Sequence, residues 1–391
     1  MRLRTTSVAF AALLALGCQN KGPSDKEIAQ KHWNDTRSSI LCGLAQDQYK
    51  AHDFDHCKET IAKGLQMSPT SPQLHTLLAK VQIEQGQLEA AERELEVSRR
   101  FSPNDPEPYY LSGVIYQRWQ RLGTALEFYR QASERAPAEL AYVLAQGEML
   151  VALNRTPEAL TLLQAKVAYF ENSAAIRDAV GQLLVQTGQY AKAIDMFRQA
   201  SILAEDDDSI RQRLAMAYYK NKQYRQAAEI LNRLTQKEPY SKQATVFELL
   251  GECQLQLADA HSAASSFETA SELNSLSPKI WQNYGRAALQ ENDLRRADYA
   301  LRRSIGLDAS SSESHLLLGY VRLRENRAKE ALASFQKASS LDPNDTTSIC
   351  MVGYSYEKLG QRSLARRYYG EALRVRPGDD MASQLMAQID K

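Results

Sequence analysis

The densest run of potential metal ligands is His52-Asp53-Phe54-Asp55-His56-Cys57, in which two imidazoles four residues apart could share one helix face. The run also spans a predicted turn between two helical segments, so Asp55 reads better as a helix cap and Cys57 as a small packing residue. Glu205-Asp206-Asp207-Asp208 would suit a hard cation, but acidic residues before a helix also satisfy its exposed donors, and that simpler reading is preferred. His32, His75, His261 and His315 are scattered, suggesting no nucleophile and base pair, and no glycine-rich phosphate loop occurs. Cys253 and Cys350 lie too far apart to bridge in a regular helical array, whereas Cys42 and Cys57 could pair in an oxidising compartment. The expectation is therefore no enzyme, no cofactor and no metal. A metal-dependent enzyme at His52 and His56 is the weakest alternative.

The elements that hold these residues repeat. A 34-residue period runs ten times from Ser38 to Asp379, interrupted only by Lys242-Gln243 between the sixth and seventh repeats. The eighth place of every repeat is Gly or Ala, from Ala45 and Ala79 to Gly319 and Gly353. Twelve residues on stands a second small column, from Cys57 and Ala91 to Ala331 and Ala365. Two small columns on facing helices let their axes approach towards the lower end of the ~8–10 Å interaxial range. Large residues such as Tyr129, Phe197, Phe267, Phe335 and Tyr369 follow four residues after the second column. Pro closes six repeats, at Pro69, Pro103, Pro137, Pro239, Pro343 and Pro377, where its missing donor helps stop a helix.

This pattern resembles the tetratricopeptide repeat. Trp281, Tyr284-Gly285 and Ala297 carry the motif in one repeat, and Gly353, Tyr356, Ala365, Tyr369 and Pro377 in another. The resemblance implies an all-α fold, an α-solenoid of about ten helix-turn-helix repeats wound into a right-handed superhelix. The fourth repeat departs from the pattern, with Lys166 and Glu171 in place of the small residue and the Pro, so an irregular junction is expected there. Leu385, Met386 and Ile389 predict a C-terminal capping helix over 380–391.

First helices of such repeats line the concave side. Helical geometry puts the fifth, ninth and twelfth places on one stripe, the expected partner groove. Its candidate contacts are Tyr110, Val114, Leu144, Val151, Val185, Met216, Tyr219, Leu255, Leu289, Leu316, Tyr320, Leu323 and Tyr354. The twelfth place is apolar or aromatic in eight of ten repeats, the exceptions being Gln117 and Glu357. The stripe serves a partner segment, packing between repeats, or both. Family members that bind chaperone tails clamp a carboxylate with Lys at the fifth place and Asn at the ninth; neither occurs here, which disfavours that partner class. Groove charges, among them Lys80, Glu148, Asp178, Glu248, Glu252 and Arg286, are of both signs and select no ligand charge.

The N-terminus reads as an address. Arg2 and Arg4 precede an apolar run from Val8 to Leu16, and Leu14-Ala15-Leu16-Gly17-Cys18 resembles the lipobox of bacterial lipoproteins, whose Cys is acylated. This predicts a signal peptide over 1–17, lipidation of Cys18, and a polar tether over 18–37. Several acyl chains, at ~0.8 kcal/mol per buried CH₂, anchor stably. Gln19 after Cys18 implies the inner leaflet of the outer membrane, facing the periplasm; an ordinary signal peptide and a soluble periplasmic or secreted chain is the alternative. The 391 residues carry 48 basic and 47 acidic side chains, which does not suit nucleic acid, and no apolar run reaches the ~20 residues of a membrane span. The C-terminal portion is more basic, with Arg295-Arg296, Arg302-Arg303 and Arg366-Arg367, which reads as a solvated convex face before an anionic glycan or lipid site. Together these imply a non-catalytic scaffold for envelope proteins or their peptide segments, assisting a secretion, pilus or polysaccharide-export machine. Direct binding of peptidoglycan or exopolysaccharide glycan is the alternative.

Overall fold

The computed structural model describes residues 24–389, so the predicted signal peptide and Cys18 lie outside the described residues. Those residues form 21 α-helices and one 3₁₀ turn, with no strand among them, and divide into two compact units between Leu162 and Leu163. The first unit holds α1 (Asp25–Lys50), α2 (Phe54–Met67), α3 (Pro72–Glu84), α4 (Leu88–Phe101), α5 (Glu107–Arg118), α6 (Leu122–Arg135) and α7 (Leu140–Ala152). Across the division runs α8 (Thr156–Val167). The second unit continues with α9 (Ala174–Gln186), α10 (Tyr190–Leu203), α11 (Asp208–Lys220), α12 (Tyr224–Leu234), α13 (Ala244–Gln256), α14 (Ala260–Leu273) and α15 (Pro278–Glu291). It ends with α16 (Leu294–Leu307), α17 (Ser312–Arg324), α18 (Ala328–Leu341), α19 (Thr346–Lys358), α20 (Arg362–Val375) and α21 (Asp380–Ile389). Nine of the ten predicted repeats are hairpins of two packed helices, the fourth supplies α7 and α8 in succession, and α21 packs on α19 and α20.

The small columns point inward. All ten residues of the second column, Cys57 to Ala365, are fully buried, as are Ala45, Ala79 and Ala215 of the first. Every residue four places after the second column is also buried: Ile61, Leu95, Tyr129, Leu163, Phe197, Leu231, Phe267, Leu301, Phe335 and Tyr369. Burying side chains of this size contributes roughly 1.5–3 kcal/mol each. This column and the first are matched in volume in eight repeats, while Gly147 with Leu163 and Gly285 with Leu301 pair glycine with an aliphatic side chain. Where the eighth place is Ala (Ala45, Ala79, Ala215), its partner sixteen residues on is aliphatic (Ile61, Leu95, Leu231). Where the partner is aromatic, the eighth place is Gly; a Cβ on Gly181 would lie 2.6 Å from Phe197, and one on Gly353 2.6 Å from Tyr369.

The turn inside each hairpin has its own fixed device. The fifteenth place of every repeat takes positive φ: His52, Gly86, Gln120, Asn154, Gly188, Lys222, Ala258, Asn292, Asn326 and Gly360. This left-handed step ends the first helix, and glycine and asparagine accept it at least cost. The next residue caps the second helix. Asp53, Asp259 and Asp293 there accept from the backbone N–H three residues on. The cap expected at Asp55 is thus supplied by Asp53, because the left-handed step falls at His52 and starts the helix two residues earlier.

Three local departures have visible causes. The tether expected over 18–37 is helical from Asp25 onward, since Ser24 and Glu27 form a reciprocal capping box. In the fourth repeat α8 has 12 residues where α4 and α6 have 14, and a longer turn over 168–173 follows, where Lys166 and Glu171 break the pattern. Between the sixth and seventh repeats α12 stops at Leu234, and the inserted Lys242-Gln243 is taken up by a 3₁₀ turn at Tyr240–Lys242.

Candidate functional site

The predicted stripe is held by the first helices, and its side chains are mostly half-buried. In the first unit Tyr110, Val114, Leu144 and Val151 are all in this class. Tyr110 is engaged on two sides, with ring centroids 5.5 Å from Tyr129 and 4.8 Å from Tyr142. In the second unit Val185, Tyr219, Leu255, Leu316, Tyr320, Leu323 and Tyr354 are half-buried and Met216 is exposed. The Tyr219 hydroxyl donates to Glu252 Oε2 at 2.7 Å, tying the sixth repeat to the seventh. Leu289 corrects the expectation. It is 7 % exposed within the core of α15 and α16, and so offers a partner almost no surface.

The polar exceptions at the twelfth place have a packing reason. Tyr129 and Tyr369 are the buried phenols of the large column, and their hydroxyls donate to Gln117 Oε1 at 2.7 Å and Glu357 Oε2 at 2.8 Å within the same repeats. Wherever the large residue is Phe, Leu or Ile, the twelfth place is apolar or Tyr. Burial pushes both tyrosine pKa values up, so each stays a neutral donor.

Several of the charges on this face join repeats. Lys80 meets Glu107 at 2.5 Å, Asp178 meets Arg213 at 2.6 Å, Lys279 lies 3.4 Å from both Glu248 and Glu252, and Arg286 pairs with Glu313. Two further ties were not anticipated from the sequence. Arg118 Nη1 donates to the Ile83 carbonyl at 3.0 Å, and Arg324 Nη1 donates to the Leu289 carbonyl at 2.8 Å, each reaching from the thirteenth place to the twelfth of the preceding repeat. Arg stands at that place in only these two repeats, too sparsely to show as part of the repeat pattern.

One stretch of the stripe forms a concavity. A cleft of about 560 Å³ opens between α17 and α19 in the second unit, lined by Tyr320, Leu323, Met351 and Tyr354, with Arg324 and Lys358 also in its wall. Tyr320 is held edge-on by Phe335, with ring centroids 5.4 Å apart, and the Lys358 ammonium lies 5.0 Å from the Tyr354 ring centroid. Three predicted contacts therefore meet here: an apolar floor beside two cations suits an apolar side chain of a segment carrying a nearby carboxylate.

The residues first considered for chemistry have structural partners. His52 sits at the left-handed place, while His56 Nδ1 lies 2.8 Å from the capping Asp53. Asp207 caps α11, and Asp208 holds Lys237 at 2.9 Å. Cys42, Cys57, Cys253 and Cys350 are free and buried; Cys57 Sγ donates to the Ala45 carbonyl, and burial pushes Cys253 and Cys350 up to about 12. Among the described residues no three His, Cys, Asp or Glu side chains gather as metal ligands, and no helix is long and apolar enough to cross a membrane.

Comparison with known proteins follows the same repeat pattern. Family models described as tetratricopeptide repeat match residues 48–113, 106–139 and 144–209. The model of the cilia and flagella-associated protein 70 C-terminal domain matches residues 204–390. The BBSome complex member BBS4 of Bos taurus is 22% identical over 271 residues, covering 69% of this chain and 51% of its own length; the Mus musculus protein gives the same figures. The chain thus spans about half the length of the curated relatives it matches. Among solved structures, the C-terminal part of a repeat-containing protein from Cytophaga hutchinsonii superposes with a TM-score of 0.52 at 14% identity, covering 61% of this chain and 98% of that one. That likeness shows the fold.

Proposed function

Because the chain belongs to the tetratricopeptide-repeat family, whose hairpins bind protein segments, we propose that it is a non-catalytic scaffold that organises envelope proteins through the face of its first helices. The observation that carries this reading is the α17–α19 cleft, where Tyr320, Leu323 and Tyr354 leave apolar surface beside Arg324 and Lys358. The relatives are themselves named as members of a complex, which supports an assembly role.

The chain acts from the membrane: acylated Cys18 anchors it to the inner leaflet of the outer membrane, facing the periplasm, with α1 starting seven residues later. Support comes from the charged start, the short apolar run and Gly17-Cys18. There it assists assembly of a secretion, pilus or export machine.

Two measurements test this. Capture of envelope proteins with the wild-type chain is compared with Tyr354→Ala and with Tyr299→Ala, an exposed tyrosine on α16 outside the cleft. Tyr354→Ala should weaken a specific partner by roughly 30-fold, as for an aromatic hot spot, and Tyr299→Ala should not. Equal capture by both variants refutes the cleft. Cys18→Ser should move the chain from membrane to soluble fractions, and unchanged fractionation refutes the anchor.

A further inference from the structure

In nine of the ten repeats the third, seventh and tenth places of the first helix are turned away from solvent or half-buried. In α13 these are Val246, Leu250 and Cys253, and in α15 Ile280, Tyr284 and Ala287, all buried, with α12 packed on α13 and α14 on α15. In α1 the same places are open. Ile40 is 69% exposed, Leu44 50%, and Trp33, one heptad before Ile40, 57%. At ~100° per residue, Trp33, Arg37, Ile40, Leu44 and Asp47 fall within an arc of about 80°, on the side away from buried Ser38, Cys42 and Ala45.

The charges in this stripe distinguish it from a face made for another helix of the solenoid. The tenth place reads Val81, Ile115, Met149, Leu183, Ala217, Cys253, Ala287, Val321 and Ser355 in the later repeats, and is charged only at Asp47. Arg37 carries the opposite sign ten residues earlier, with Ile40 and Leu44 between them. Such an order is self-complementary under a twofold axis, where residue i meets j and j meets i. We propose that two copies of the chain associate through antiparallel α1 helices. Ile40 of each meets Leu44 of the other, and Arg37 of each pairs with Asp47 of the other. A parallel pairing would set like charges together. Near the axis, Gly43 leaves open space, since a Cβ there would meet nothing within 4 Å. Lys50, 3.7 Å from Asp47, is an exposed neighbour that leaves the carboxylate accessible. This pairing is independent of the lipid anchor and of the cleft.

Sedimentation equilibrium of the full-length chain in density-matched non-ionic detergent tests it. The wild type should dimerise, Arg37→Glu should weaken the dimer by at least roughly 10-fold, and Arg37→Glu combined with Asp47→Arg should restore it to within a few-fold. Arg37 and Asp47 are exposed, so unchanged helical content by circular dichroism serves as the folding control. A monomer up to roughly 100 µM, or association indifferent to the charge swap, overturns the proposal.

Discussion

Gly181→Ala tests the volume matching between the two helices of a hairpin. The added Cβ would stand 2.6, 2.8 and 2.9 Å from three atoms of the Phe197 ring. Ordinary carbon contacts lie at ~3.5–4.0 Å, so the ring or the helix must retreat by about 1 Å. Overpacking of this kind costs roughly 1–3 kcal/mol, and the better helix propensity of Ala returns about 1 kcal/mol. The net expectation is a loss of up to ~2 kcal/mol. Phe197→Leu alone opens a cavity and also destabilises. The double variant recreates the pairing already present in Ala79 with Leu95 and Ala215 with Leu231, so it should be more stable than the sum of the singles by at least ~1 kcal/mol. Repeat arrays need not unfold in one step. The assay is therefore hydrogen exchange of the α9 and α10 amides, supported by thermal melts. A stabilising Gly181→Ala, or additivity in the cycle, would refute the reasoning.

Ala258 holds the left-handed place that glycine fills at Gly86, Gly188 and Gly360, so Ala258→Gly should stabilise the second unit by about 0.5–1 kcal/mol in denaturant unfolding. Glu357→Leu strips the buried Tyr369 hydroxyl of its acceptor and should cost roughly 1–3 kcal/mol; adding Tyr369→Phe, which copies the Leu323 and Phe335 pair, should recover most of it in thermal melts. His75 presents Nδ1 to Glu94 at 2.6 Å and Nε2 to the Pro69 carbonyl at 3.0 Å, so both nitrogens must donate, and the Glu94 hydrogen bond raises its pKa above the usual 6.5. With the folded value the higher one, this stability is complete below the unfolded pKa and is lost as pH rises through the folded one. The first unit should melt lower at alkaline than at mildly acidic pH, and nuclear magnetic resonance should place the His75 midpoint above that of a free histidine.

Chain order alone determined the repeat. A 34-residue beat of Gly or Ala, then Ala or Cys, then a large residue sets the hairpins, because two helices can approach only where both lack bulk, as Ala215 with Ala227 shows. The capping helix followed from apolar spacing at Leu385, Met386 and Ile389, and its Ala382 is buried. Part of the candidate face was legible in the same way: Tyr320, Leu323 and Tyr354 do meet, in one cleft. Tertiary packing decided what each side chain on that face is for. Helical periodicity gives a direction around one helix and does not say which neighbour lies there, so Leu289 was sunk into the core while Met216 stayed open. The same distances made Gln117 and Glu357 acceptors for buried phenols, and turned groove charges such as Lys80 and Asp178 into ties between repeats. A polar group's role depends on what comes within about 3 Å of it, and that distance is set only when separate helices are brought together.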